Sequence, residues 1–449
     1  MNPTNEPWSY HIFTYGCQMN VRDSEIIAGL LTSQGGISQN QAELADLIVF
    51  NTCSVRHSAE NKVYSKLGEY LKIRNTRPDM IVAFGGCMAQ IPEVVSKVKR
   101  MGVNIVFGTH NLHRLPQLID RHRQSRKKVI EVWLEHGEII EALPSQRNPG
   151  LSAFVNIMYG CNNYCSYCIV PFTRGRERSR RPQDIMAELQ ALAADGFKEV
   201  TLLGQNVNSF GQGLPEACDF ADLLQMADSI PGLERIRFTT SHPKDMSDKL
   251  IDTIAGGRHL CEHIHVPLQA GSNEVLKRMN RHYSREHYLE LVAKMRDRIP
   301  GVAISSDLIV GFPGETEADF EKTLEMVEKV RFDSAFTFLY STRTGTKAAN
   351  LSDQIELRTK KERLLRLNQM QYSIAAEINR GLESKIEEIM VEGPSKTDGR
   401  RMTGRTRTNR IVIFEGSPDW AGKLLKIRIN KGKTFSLFGE AAEDEPKMN

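Results

Sequence analysis

Four short apolar runs, at residues 11–14, 47–51, 80–85 and 105–107, punctuate the first third of the chain, and the stretches between them carry apolar positions at helical spacing. Runs of this length are strands, the segments 22–34 and 59–73 read as helices, and their alternation predicts a parallel α/β sheet. The glycine pairs Gly35-Gly36 and Gly85-Gly86 punctuate element ends. The sheet of this unit is expected to end near Phe107.

Between 121 and 150 the periodicity weakens into basic residues, a charged stretch and prolines, as in a connecting segment that carries one short strand; the boundary falls near Gln146. From Ser152 a longer alternation begins. Strand candidates at 154–158, 200–203, 235–239, 263–266, 303–309 and 334–339, with helices at 182–194, 220–229, 285–299, 318–330 and 358–380, make six βα units and hence a full or partial (β/α) barrel. Beyond Gly381 the period shortens to two at 385–391, 410–414 and 424–429, broken by Gly393, Gly399, Gly416 and Gly432, which predicts a small, OB-like β-barrel. The expectation is an α/β chain of three domains, 1–146, 147–380 and 381–445.

A length of 449 residues agrees with three domains at about 100–200 residues each. With 40% hydrophobic and 25% charged residues the chain is neither disordered nor fibrous in composition. No stretch approaches the ~18 consecutive apolar residues of a membrane span, and the polar start at 2–7 lacks a signal peptide's apolar region, so a cytoplasmic protein with no membrane partner is expected. In that reducing compartment eight cysteines read as metal ligands or reactive thiols rather than as a disulfide framework. The net charge of +4 is too small to assign a partner by itself, so the placement of charge matters more.

Gly160-Cys161-Asn162-Asn163-Tyr164-Cys165-Ser166-Tyr167-Cys168 follows the first strand candidate of the barrel. Three thiolates in such a loop can face one centre. A zinc knuckle would want a fourth protein ligand, whereas a cubane held by three cysteines leaves one iron open. This C-x3-C-x2-C spacing at the carboxyl end of a first barrel strand resembles the radical S-adenosylmethionine superfamily, with Tyr167 as the aromatic residue before the third cysteine. The resemblance implies that the open iron chelates S-adenosylmethionine and that its contacts lie at later strand ends: Gly204, Gln205 and Asn206 after the second, Ser241 and His242 after the third, Gln269 after the fourth, and Asp307 and Gly311 at the fifth. Read individually, each of these is as well explained as a loop-stabilising hydrogen-bond partner.

Cys17, Cys53 and Cys87 are far apart in sequence, but each closely follows a strand of the first domain, and the strand ends of an open parallel sheet converge on one crevice. Three βα turns delivering one thiol each is the arrangement for another cluster with a free iron; isolated buried cysteines are the plain alternative. Thr14-Tyr15-Gly16-Cys17-Gln18-Met19-Asn20, Asn51-Thr52-Cys53 and Gly85-Gly86-Cys87 resemble the methylthiotransferase domain. Asp23-Ser24-Glu25 and Val170-Pro171-Phe172-Thr173-Arg174-Gly175-Arg176-Glu177 are similar to the branch of that family that acts on tRNA. The family implies two 4Fe-4S clusters and methylthiolation of N6-isopentenyladenosine at C2. One S-adenosylmethionine serves methylation and a second radical generation, with an electron donor such as flavodoxin or ferredoxin and a sulfur donor as partners. Asn20 and Asn51 are candidates to donate hydrogen bonds near the second cluster, with turn formation the bland reading. Cys218 and Cys261 lack partner spacing and read as ordinary thiols.

Arg174, Arg176, Arg178, Arg180 and Arg181 would border the reaction mouth and attract RNA phosphates. Lys396, Arg400, Arg401, Arg405, Arg407 and Arg410, between small strands in a segment that resembles a TRAM module, would grip the tRNA anticodon stem-loop. A third run, Arg121, Arg123, Arg126, Lys127 and Lys128, is adequately explained by solvent exposure.

Overall fold

The computed structural model describes residues 8–54, 57–135, 137–147, 150–396 and 398–442. The amino-terminal stretch 2–7 and the outer domain limits at 1 and 445 lie outside the described residues.

Six parallel strands, β1 (Trp8–Thr14), β2 (Gly36–Ser38), β3 (Leu47–Thr52), β4 (Ile81–Gly86), β5 (Ile105–Phe107) and β6 (Val129–Glu131), form the first sheet in the order β2-β1-β3-β4-β5-β6. Helices α1 (Gln18–Thr32), α2 (His57–Thr76), α3 (Pro92–Met101) and α4 (Leu115–Ser125) cover it. Every residue of β3 and β4 is buried, as in a sheet covered on both faces. Ile48, Phe50, Val82 and Phe84 meet Val63 and Leu67 of α2 on one side. Val49, Ile81 and Ala83 meet Ile27 of α1 and Leu118 of α4 on the other. The sheet does not end at Phe107. β6, inside the stretch read as a connector, pairs in parallel with β5 (Ile105 opposite Val129), and three residues are too few to show a period.

The second unit contains β7 (Ser152–Asn156), the two-residue antiparallel pair β8 (Met158–Tyr159) and β9 (Arg178–Ser179), then β10 (Glu199–Leu203), β11 (Arg235–Phe238), β12 (His263–His265), β13 (Ala303–Val310) and β14 (Ser334–Leu339). Its helices are α5 (Val170–Thr173), α6 (Pro182–Ala194), α7 (Phe220–Asp228), α8 (Asp248–Gly256), α9 (Asn273–Arg278), α10 (Arg285–Arg298), α11 (Glu317–Val330) and α12 (Leu357–Arg380). The six longer strands run parallel in two arcs, β11-β10-β7 and β12-β13-β14, joined by a bridge between Ile236 and Leu260. Among the described residues no pairing joins β7 to β14, so the barrel is a partial one. Parallel strands put all their carboxyl ends on one rim, where chemistry is built on such barrels.

Five strands close the third unit: β15 (Ile386–Pro394), β16 (Arg401–Thr406), β17 (Ile411–Glu415), β18 (Leu424–Gly432) and β19 (Leu437–Ala441), in the order β15-β16-β17-β19-β18 around Ile389, Val412, Phe414, Ile427 and Leu437. β16 and β19 escaped the sequence pattern because arginines and glycines interrupt their apolar alternation.

The small barrel plugs the partial barrel from the end opposite the rim. Ile236 and Phe238 of β11 face the hydrophobic core, so the alternating Arg235 and Arg237 face the lumen. There Arg237 donates to the carbonyls of Thr406 and Arg407 at 2.8 and 2.9 Å, and Arg235 donates to those of Arg405 and Glu388. Arg407 forks onto Glu262 and the Leu260 carbonyl, and Arg410 pairs with Asp333. The connector between the first two units lies on α1: a Cβ at Gly29 would come within 2.4 Å of Pro144 and Ser145, and Arg147 ties Glu25 of α1 to Glu188 of α6.

Candidate functional site

The Cys161–Cys168 loop begins at Gly160, whose φ is +78° and whose Cβ would sit 2.1 Å from the Arg176 carbonyl, so only glycine fits that turn. Hydrogen bonds from Ser166 to the Met279 and Arg278 carbonyls, and from Asn280 to those of Asn163 and Tyr164, fasten the loop to α9. The three thiols stand close enough to repel one another as thiolates, and burial, with the Cys165 charge beside it, pushes Cys168 up to about 12. Burial also raises Cys161. Asn163 donates to the Cys161 sulfur at 3.4 Å and Arg281 to the Cys165 sulfur at 3.4 Å. Thiols such as Cys161 and Cys168, which burial keeps protonated, are matched to a cationic cluster core that removes the protons and balances the charge. Tyr167 is partly buried and packs against the apolar cluster that includes Ala270, Val275 and Leu276.

Around the rim stands a series of buried polar atoms without a protein partner: Gln205 Oε1, Asn206 Oδ1, Asn208 Oδ1, Ser241 Oγ, His242 Nε2 and Gln269 Oε1. Orphaned atoms in this number, converging at consecutive strand ends, fit a polar ligand such as S-adenosylmethionine. Burial, reinforced by Arg281, pushes His242 down to about 2, so its ring is neutral. Asn206 is held by Asp245 at 2.7 Å. Gln269 has φ +68° and is fixed by backbone bonds with Asp307 and Ile309. Each of the two glycines expected at the cofactor is crowded by a neighbouring side chain. Gly311 donates its N–H to Glu315, and its missing Cβ makes room for Lys360; Gly204 makes room for Met158. Asp307 faces His265 at 3.5 Å.

The second trio assembles at the carboxyl ends of β1, β3 and β4. Gly16 again admits no side chain: at φ +124° its Cβ would lie 2.3 Å from Cys53 Cβ. A hydrogen bond from Cys53, the Arg174 charge and the first N–H groups of α1 hold the Cys17 thiol down to about 6 against its partial burial. Cys87 is raised by burial. Asn20 and Asn51 are buried here; their side-chain amides donate to the Thr52 carbonyl, the Asn20 carbonyl and the Ser24 hydroxyl, while the Asn20 backbone N–H is one of those that favour the Cys17 thiolate. The side-chain donor to Cys87 is Arg174, whose Nε lies 3.2 Å from Cys87 Sγ. Among the described residues no three His, Cys, Asp or Glu side chains close on a single-ion centre; a cubane spreads its ligands over three irons, so this bears on a mononuclear site.

The two sites adjoin. Met19, two residues past Cys17, touches the Gln205 amide of the rim, and Arg174 reaches from just beyond the Cys161–Cys168 loop of the barrel to Cys87. Sequence reasoning missed Arg281 and the rim residue Asn208 and did not pair Asp23 with Arg174, because nothing in spacing relates Arg281 to Cys165 or Arg174 to Asp23 and Cys87 across the chain.

Several expected RNA contacts are corrected. Arg174 is buried on Asp23 and Cys87, and Arg180 on Glu141 and Glu188. Arg407 and Arg410 bind Glu262 and Asp333 inside the domain interface, whereas Arg405 is half-exposed in a surface pair with Glu392. Arg178 is half-buried and donates to the Gly137 carbonyl. Arg176, Arg181, Lys396, Arg400 and Arg401 remain at the surface. Cys218 and Cys261 join neither trio.

The chain matches three family models: the radical SAM superfamily at residues 155–327, the TRAM domain at 382–442, and UPF0004, described as an uncharacterized protein family, at 9–108. Fold and site therefore define a radical S-adenosylmethionine enzyme with a second trio of thiols and an appended TRAM barrel. Curated relatives from Syntrophomonas wolfei, 65% identical over 97% of this chain and 98% of that protein, and from Carboxydothermus hydrogenoformans, 52% identical over 96% and 98%, bear the name tRNA-2-methylthio-N(6)-dimethylallyladenosine synthase. The chain belongs to that family of radical methylthiotransferases. Among solved structures, the radical S-adenosylmethionine methyltransferase TsrM from Kitasatospora setae shares the fold at 16% identity, with a TM-score of 0.58 over 76% of this chain and 74% of that one.

Proposed function

We propose that the protein transfers a methylthio group to C2 of N6-dimethylallyladenosine beside the anticodon of tRNA. The observation that carries this is the meeting of two thiol trios at one interface, bridged by Arg174 and by the Met19–Gln205 contact. Cys161, Cys165 and Cys168 would hold the cluster that binds S-adenosylmethionine, and Cys17, Cys53 and Cys87 the one that carries sulfur. When bound, these groups supply a methyl from one S-adenosylmethionine and, from a second, the radical that removes the C2 hydrogen.

The chain's own residues bind, orient and exclude. Gln205, Asn206, Ser241, neutral His242 and Gln269 offer the cofactor hydrogen bonds at fixed positions around the rim. The turn at 406–410 closes the opposite end of the lumen, so cofactor and base share the rim. Exposed Arg176, Arg181, Lys396, Arg400 and Arg401 would take RNA phosphates, offsetting the few kcal/mol needed to unstack the target base. A flavodoxin- or ferredoxin-type electron donor and a sulfur donor complete the reaction in the cytoplasm, where tRNA is modified; no described helix is long and apolar enough to cross a membrane.

Nucleoside analysis of tRNA from cells lacking and then regaining the protein tests the reading. The 2-methylthio nucleoside should vanish and return. An unchanged level, with loss of methylthio groups from a ribosomal protein or from threonylcarbamoyl-adenosine instead, would overturn it.

A further inference from the structure

Arg174 closes α5, six residues past Cys168 in the cluster loop, yet its guanidinium is buried in the other domain. Nη2 donates to Asp23 Oδ2 at 2.7 Å and to Asn20 Oδ1 at 3.2 Å, and Nε donates to Cys87 Sγ at 3.2 Å. The backbone beside it is pinned across the same boundary by Thr109, whose hydroxyl donates to the Thr173 carbonyl at 2.7 Å. A residue placed only to clamp two domains would be satisfied by Asp23. Here the guanidinium also turns an N–H to sulfur, while the neighbouring Asn20 and Asn51 amides are spent on backbone and on Ser24.

We infer that Arg174 is a positioning residue of the second cluster, delivered by the radical domain, which raises that cluster's reduction potential through N–H···S donation and a fixed positive charge. The inference rests on the reading of Cys17, Cys53 and Cys87 as ligands. One-electron reduction adds a negative charge to the cluster and moves no proton, the electron coming from a reductant in solution. A buried cation and a hydrogen bond to ligand sulfur both favour the more negative form. Because the same short segment carries Cys168, separating the domains would draw the charge away from Cys87, so the potential also reports domain docking.

The test uses the full chain with Cys161, Cys165 and Cys168 replaced by alanine, leaving only the second trio to hold iron, about four atoms per chain. Potentiometric titration with redox mediators, followed by electron paramagnetic resonance, compares this parent with Arg174→Lys, Arg174→Gln and Arg174→Met. Gln keeps an N–H without the charge, and Met removes both. The reduction equilibrium should weaken at least tenfold in Gln, about 59 mV for one electron, further in Met, and least in Lys. Should Met lose its iron, Gln and Lys carry the comparison. Iron retained at the parent potential in Arg174→Gln would overturn the inference alone; a parent without iron would overturn it together with the ligand reading.

Discussion

Arg237→Met should undock the TRAM barrel while leaving the radical site chemically intact. Arg237 pairs with Glu199 at 2.8 Å, both side chains under a tenth exposed, and donates to the Arg407 and Thr406 carbonyls at 2.9 and 2.8 Å. Two hydrogen bonds from a charged donor, at about 1.5–3 kcal/mol each, give roughly 3–6 kcal/mol. Stranding Glu199 in a buried site independently gives about 3–5 kcal/mol, since Ser152 at 3.1 Å is its other polar partner across the sheet. The two figures describe overlapping losses, so about 3–5 kcal/mol is the expected total, or roughly 150- to 5,000-fold in the docking equilibrium. Arg235, which still holds Glu388 and Arg405, keeps the loss from being complete. Limited proteolysis in the connector after α12 should release the small barrel far faster than in the parent, and tRNA binding should weaken while S-adenosylmethionine cleavage continues. The double variant Glu199→Leu/Arg237→Met should recover part of the loss, because no charge is left buried. A single variant as protease-resistant as the parent would refute the reasoning.

Cys53→Ala should retain some S-adenosylmethionine cleavage and lose methylthio transfer, whereas Cys165→Ala should lose both; deoxyadenosine and modified-nucleoside assays read the two, and wild-type activity in either variant contradicts the division of labour. Gly16→Ala, whose Cβ collides with Cys53, should halve the iron content from about eight to about four atoms per chain, and a full complement would argue against the second site. In cluster-free protein Cys17, with its pKa lowered to about 6 by the Cys53 hydrogen bond and the Arg174 charge, should be the first thiol alkylated by iodoacetamide at pH 7. Its rate should fall as pH drops below 6, where the thiol is protonated, and Cys53→Ala should move that fall to higher pH. Preferential labelling of Cys168, which burial holds near 12, would refute this.

The thiol trios were legible because their signals are local: C-x3-C-x2-C lies in one loop, and each cysteine of the second trio sits one turn past an apolar run that declares itself a strand. Strand ends of a parallel sheet must converge, so alternation and position sufficed to bring Cys17, Cys53 and Cys87 together. The short strands β6, β16 and β19 were not legible, because three residues or a glycine-broken run carry no period and are made strands by the neighbour they pair with.

Charge marks the sharper divide between what the sequence determined and what the tertiary structure decided. The sequence shows that arginines gather after the Cys161–Cys168 loop and in the last domain, and electrostatics says that such groups seek anions. Which anion depends on what folding sets within about 3 Å. For Arg407 it is Glu262, 145 residues away; for Arg174 it is Asp23, 151 residues away, with Cys87 beside it. A guanidinium binds a carboxylate, a thiolate or a phosphate by the same N–H geometry, so residue type fixes the kind of partner and only packing selects the partner.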